Sequence, residues 1–110
     1  MRRIPFPEAG IYSITCDPTE RVYVGSAAFA VWDRWIKHLS ELRRGTHFCQ
    51  QMQSDWDWYG ETEFTFGLLE VDPSGPGVFE RLRPLELRWI EVISAHQLVY
   101  NRFGVVQKQS

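Results

Sequence analysis

Gly10-Ile11-Tyr12-Ser13-Ile14-Thr15-Cys16, then Asp17-Pro18-Thr19-Glu20, then Arg21-Val22-Tyr23-Val24-Gly25, is the stretch on which the fold turns. The first run alternates β-branched or aromatic residues with small ones, which is a strand pattern. Asp17 to Glu20 has turn chemistry. The last run is a second short strand. So short a turn predicts antiparallel pairing as a hairpin.

Working outward, Trp32, Trp35, Ile36, Leu39 and Leu42 recur at helical spacing and predict a helix over 29–44, stopped by Gly45. Phe48, Cys49, Met52, Trp56 and Tyr59 predict a second helix over 47–59, stopped by Gly60. Phe64, Phe66 and Leu68 alternate within a third strand, Glu63 to Val71. Asp72-Pro73-Ser74-Gly75-Pro76-Gly77 is a loop. A third helix is expected to start near Pro84, a residue favoured at the first helical position. Leu85, Trp89, Val92, Ile93 and His96 would form its apolar face, and it would end before Tyr100-Asn101. The lead Ile4-Pro5-Phe6-Pro7 cannot be a helix interior, and the tail after Phe103 is short and polar. The order β-β-α-α-β-α implies an α+β fold, with a small three-stranded antiparallel sheet flanked by helices.

The chain has 110 residues, which fits a single domain over 1–110 with a core that needs no disulfide or metal staple. Hydrophobic residues make up 44%, which excludes a disordered composition. No apolar run reaches the roughly 20 residues of a membrane helix, and no secretory leader opens the sequence. Cys16 and Cys49 alone make no disulfide framework, so a reducing cytoplasm is the expected compartment. The net charge of −2 excludes a strongly basic nucleic-acid binder. That charge is uneven: residues 51–80 hold seven acidic and no basic residues, and the flanking segments are each net basic. Ten of the twelve basic residues are Arg, whose planar fork of donors suits phosphate oxygens.

Several residues carry chemistry, and each also has an ordinary structural explanation. Arg34 and His38 lie four apart, ~40° from each other around the first helix, on the flank of its apolar stripe. They could grip a phosphate and handle a proton, or simply share a solvated face. Tyr12 and Tyr23 would bring two phenols together across the hairpin. A phenol is a poor base unless cations lower its pKa, and Arg34 could supply one. Glu86, in the first turn of the third helix, could answer the helix dipole or ligate a metal. Asn101 could be a cap. His47 and His96 have no metal-ligand spacing with either cysteine, and Cys49 is expected to be buried filling.

Together these residues resemble the GIY-YIG nuclease family. Its two name-giving motifs stand as Gly10-Ile11-Tyr12 and Tyr23-Val24-Gly25, with ten residues between the tyrosines. Arg34 and His38 match its Arg-xxx-His helix, Glu86-Leu87-Arg88-Trp89-Ile90 its metal-binding Glu, and Tyr100-Asn101 its terminal Asn motif. The ordered set spans residues 9–102. Arg34-Trp35, His38-Leu39, Gly45-Thr46-His47, Met52-Gln53, Tyr59-Gly60 and Phe64-Thr65-Phe66 are similar to the phage and intron-homing branch. Cys49 and Met52 stand where that branch usually has Asn and Leu.

The resemblance implies hydrolysis of DNA phosphodiesters with one divalent ion. Glu86 would hold Mg²⁺ or Mn²⁺. Arg34 would stabilise the transition-state phosphate. Tyr12 would be the general base or would position the attacking water, with Tyr23 and His38 assisting by hydrogen bonds and proton relay. Asn101 would orient phosphate or neighbouring side chains. The partner is DNA, bound weakly without help and more weakly as salt rises. A targeting protein or homodimerisation would supply aim, and no membrane is involved. The competing reading is a catalytically silent module of the same fold that binds nucleic acid or assembles partners.

Overall fold

The computed structural model describes residues 8–101. The Pro-rich lead and the polar tail lie outside the described residues. The elements are β1 (Ala9–Cys16), β2 (Arg21–Ala27), α1 (Val31–Arg44), α2 (Gln50–Tyr59), a short 3₁₀ turn (Glu61–Glu63), β3 (Phe64–Asp72) and α3 (Val78–Ser94). The order is β-β-α-α-β-α, and the fold class is α+β, as the sequence pattern implies. β1 is the middle strand, antiparallel to both β2 and β3.

Because successive side chains on a strand alternate faces, β1 builds two cores at once. Tyr12, Ile14 and Cys16 face Val31, Trp35 and Leu42 of α1 and Met52 and Trp56 of α2. Ala9 and Ile11, with Val22 and Val24 of β2, face Val78, Leu82 and Ile90 of α3. A central strand covered on both sides has no solvent face, so every residue of β1 except Thr15 is buried. Two motif glycines have steric causes. A Cβ on Gly10 would lie 2.2 Å from the Glu70 carbonyl oxygen, beside the bulge where β3 passes Ile11 and Tyr12. A Cβ on Gly25, the cross-strand partner of Tyr12, would lie 2.4 Å from that residue's phenol oxygen. The tyrosine ring lies where any other side chain at 25 would begin.

Three expectations need correction. The third helix starts at Val78, so Pro84 is an interior residue that leaves the Glu80 carbonyl without its helical N–H. Glu86 therefore lies beyond the first turn, and the helix dipole does not account for it. On its apolar face Val92 is exposed and His96 falls past the helix end, while Val78 and Leu82 complete the packing. The second helix starts at Gln50 instead of residue 47. The His47 N–H is taken by the Gln53 side chain and the Cys49 N–H by the His47 ring, local bonds that compete with helix. Finally, the buried stripe of α1 is Val31, Trp35, His38 and Leu42, with Ile36 in solvent. His38 is at the centre of that stripe, not on its flank.

Among the described residues, no helix is long and apolar enough to cross a membrane.

Candidate active site

Tyr12 and Tyr23 share the α1 face of the sheet, with ring centroids 6.4 Å apart. His38 enters from α1 between them. Its Nε2 is 2.6 Å from the Tyr12 hydroxyl, and its ring meets Tyr23 edge-on at 5.1 Å. Its Nδ1 is 2.7 Å from Nε2 of His47, which the α1–α2 connection supplies. Phe48 stacks on His47 at 4.5 Å and roofs the cluster.

The direction of this hydrogen-bond chain follows from its outer end. The Cys49 backbone N–H can only donate, and it points at His47 Nδ1 over 3.0 Å. A neutral His47 must then carry its proton on Nε2 and donate it to His38 Nδ1. His38 in turn carries its proton on Nε2 and donates it to the Tyr12 oxygen. Both rings are neutral at pH 7. Burial, then the neighbouring His47, Arg34 and Lys37, push His38 down to about 3, and burial pushes His47 down as well.

This has a consequence for stability. The folded-state pKa lies below the ordinary value of 6.5, so the unfolded chain takes up protons first as pH falls. Stability is full above about pH 6.5 and declines as pH drops from there towards 3. Melting temperatures are expected to fall between pH 6.5 and 5, before carboxylates titrate, and a flat profile there would contradict burial of neutral imidazoles.

Arg34 and Glu86 come together elsewhere on the same site. Both line an open cleft of about 480 Å³ between the β2–α1 loop, the start of α1 and α3. Arg34 acts electrostatically on the Tyr12 phenol, and its Nε is buried with no hydrogen-bond partner among the described residues. Burial pushes the Tyr12 phenol up to about 12, against the opposing pull of Arg34, and Glu86 and Glu41 add to the rise. Burial also raises Tyr23, helped by Tyr12 and Glu86. Thus Tyr12 and Tyr23 both sense Arg34 and Glu86 electrostatically.

Asn101 lies behind this group on the outer edge of β2. Its Oδ1 accepts from the Val24 N–H and its Nδ2 donates to the Val24 carbonyl, each at 2.8 Å. Val22 adds backbone bonds to Leu98 and Tyr100, so the segment after α3 zips onto the strand edge. The Tyr100 hydroxyl is anchored on Asp55, 2.5 Å away. Asn101 thereby fixes the backbone between Tyr23 and Gly25.

Of the six residues singled out by sequence, Tyr12, Tyr23, Arg34, His38 and Glu86 converge, and Asn101 braces the strand that carries Tyr23. The sequence reading undervalued His47. The signal was its position two residues after the Gly45 stop of α1. A metal ion also has two candidate homes. His38, Glu41 and His47 bring ligand atoms within 4.8 Å of one another, a group that could hold an ion. There, however, the His38 Nδ1 lone pair is spent on His47, and His47 presents a proton. Glu86 makes no hydrogen bond or ion pair among the described residues and lines open space. A lone, unpaired carboxylate suits a hard cation that keeps most of its waters.

These observations define a GIY-YIG nuclease-like fold. The solved structures it resembles include a point mutant of the catalytic domain of intron endonuclease I-TevI, with a TM-score of 0.73 and 28% sequence identity over 86% of this chain and 92% of that one. They also include the catalytic domain of homing endonuclease I-TevI, with a TM-score of 0.68 and 26% identity over 86% of this chain and 100% of that one. The similarity supports a nuclease function. No protein-family model matches the chain, and no curated protein does.

Proposed function

We propose that the protein is a metal-dependent DNA endonuclease that hydrolyses phosphodiester bonds by water attack at a single divalent-metal site. The observation that carries this reading is that Arg34 and Glu86 line one open cleft and both act electrostatically on the Tyr12 phenol.

Glu86 would hold Mg²⁺ or Mn²⁺, and the unpaired carboxylate fits that task. When bound, the ion would polarise the scissile phosphate, stabilise the leaving oxygen and offset the Glu86 charge that raises Tyr12. Arg34 would bind the phosphate oxygens and meet the charge that develops on them. Its partnerless Nε is a donor with no other task among the described residues. His38 donates to the Tyr12 oxygen and the Arg34 guanidinium opposes the rise in its pKa, so the phenol's own proton is left to orient the attacking water. With a phenol near 12, Tyr12 is a positioning group at neutral pH and a base only once a cation draws its pKa down. Tyr23 packs beside His38 and keeps the relay dry. His47 fixes the His38 tautomer. Asn101 holds Tyr23 and Gly25 in place through Val24.

The purified protein is expected to convert supercoiled plasmid to nicked or linear DNA with Mg²⁺ or Mn²⁺. Chelation by EDTA should stop it. DNA binding with no cleavage under either ion would favour a silent binding module. Aim would come from a protein partner, from DNA structure or from dimerisation.

A further inference from the structure

Two phenylalanines flank the cleft and remain in solvent. Phe29, in the loop between β2 and α1, is 76% exposed, and Phe79, in the first turn of α3, is 65% exposed. Their rings meet edge to face, with centroids 6.3 Å apart. Both line the cleft that holds Arg34 and Glu86. Single exposed apolar side chains are ordinary on a protein surface. Here two large ones arrive from different elements and converge at the one cleft that carries the chemistry. The flanking loop residues Ala28 and Ala30 are small and leave space beside the rings.

The charges around the rings identify the occupant. An apolar peptide would gain from the rings but would have to desolvate Asp33, Arg34, Arg83 and Glu86 along the same walls. A nucleotide offers a flat apolar base for the rings and an anionic phosphate for the two arginines. The two acids balance those arginines, so the cleft attracts phosphate only when a divalent cation neutralises Glu86. Aromatic rings stack on any base, which makes the contact tolerant of sequence. A regular duplex shows no base face, however. A base must first leave the stack, and this costs least at a bulge, mismatch or flexible step.

We propose that Phe29 and Phe79 form a base-stacking clamp that takes one nucleobase displaced from the helix beside the scissile phosphate. The substrate is then DNA with a locally unstacked base, in preference to uniform duplex. This rests on the nuclease reading of the same cleft.

The test compares two duplexes of one sequence, fully paired or with a single-nucleotide bulge. Binding is read by fluorescence anisotropy in Ca²⁺, and single-turnover cleavage in Mg²⁺. Wild type should bind and cleave the bulged duplex at least about tenfold better. Phe29→Ala with Phe79→Ala should weaken bulge binding by about tenfold to a hundredfold, as expected for loss of one base stack, and should abolish the preference. Both rings are exposed, so unchanged melting would show that the fold is intact. Phe29→Trp should retain the preference. Equal wild-type action on both duplexes, or a preference that survives the double substitution, would overturn the clamp. Bulge-selective binding without cleavage would support the clamp and refute the nuclease. Neither binding nor cleavage would overturn both.

Discussion

Glu86→Ala is expected to abolish cleavage that depends on a divalent ion, with a loss of at least about 10³-fold in the single-turnover rate. A Lewis-acid ion contributes several kcal/mol of charge stabilisation, and each ~1.4 kcal/mol is a factor of ten in rate. The loss should be one of chemistry and not of folding. Glu86 is half-buried at the wall of an open cleft and makes no hydrogen bond or ion pair among the described residues. Truncating it therefore strands no buried partner, which is the usual route to severe destabilisation. Melting should stay close to wild type. Mn²⁺ titration followed by electron paramagnetic resonance gives a readout independent of turnover, and Glu86→Ala should lose the bound signal. If Glu86→Ala still bound Mn²⁺ and cut DNA at the wild-type rate, the ion would belong elsewhere. His38, Glu41 and His47 would then be the remaining candidate. Binding there through His38 Nδ1 and His47 Nε2 would have to break the hydrogen bond from His47 to His38, and would leave His47 Nδ1 protonated against the Cys49 N–H.

Much of this site was legible in the sequence, for identifiable reasons. The hairpin announced itself because β-branched alternation and turn chemistry are local signals. The motif glycines were legible as letters, and their cause was not. Gly25 is needed because the Tyr12 ring from the neighbouring strand lies over it, and that depends on register. The burial of His38 was misjudged because hydropathy reads imidazole as polar. It is buried because both of its ring nitrogens find partners, one on β1 and one after α1. His47 escaped for the same reason: what holds it is the Gln53 side chain and the Cys49 N–H, contacts that no periodicity encodes. The start of α3 was misplaced because Pro84 has the chemistry of a first-turn residue, yet the packing of Val78 and Leu82 against the sheet carries the helix further back. That difference matters for function, because it removes the dipole explanation of Glu86 and leaves its carboxylate without a structural task among the described residues.

Arg34→Ala should cost about 10²- to 10³-fold in single-turnover cleavage, the usual effect of removing one preorganised donor from a developing oxyanion. Two separate roles end with it. The guanidinium no longer meets the phosphate, and it no longer opposes the burial that raises Tyr12. The second loss gives a signature that a merely structural role would not. If Tyr12 acts as the base, the rising limb of the rate profile, set by loss of the phenol proton, should move to higher pH in Arg34→Ala. If Tyr12 only positions water, the rate should drop uniformly across pH. Arg34→Lys separates charge from shape. It keeps the cation near the phenol but loses the fork that holds two phosphate oxygens together. It should therefore recover the pH profile more fully than the rate. An unchanged rate in Arg34→Ala would remove this residue from the chemistry. The buried Nε would then be left without a task among the described residues.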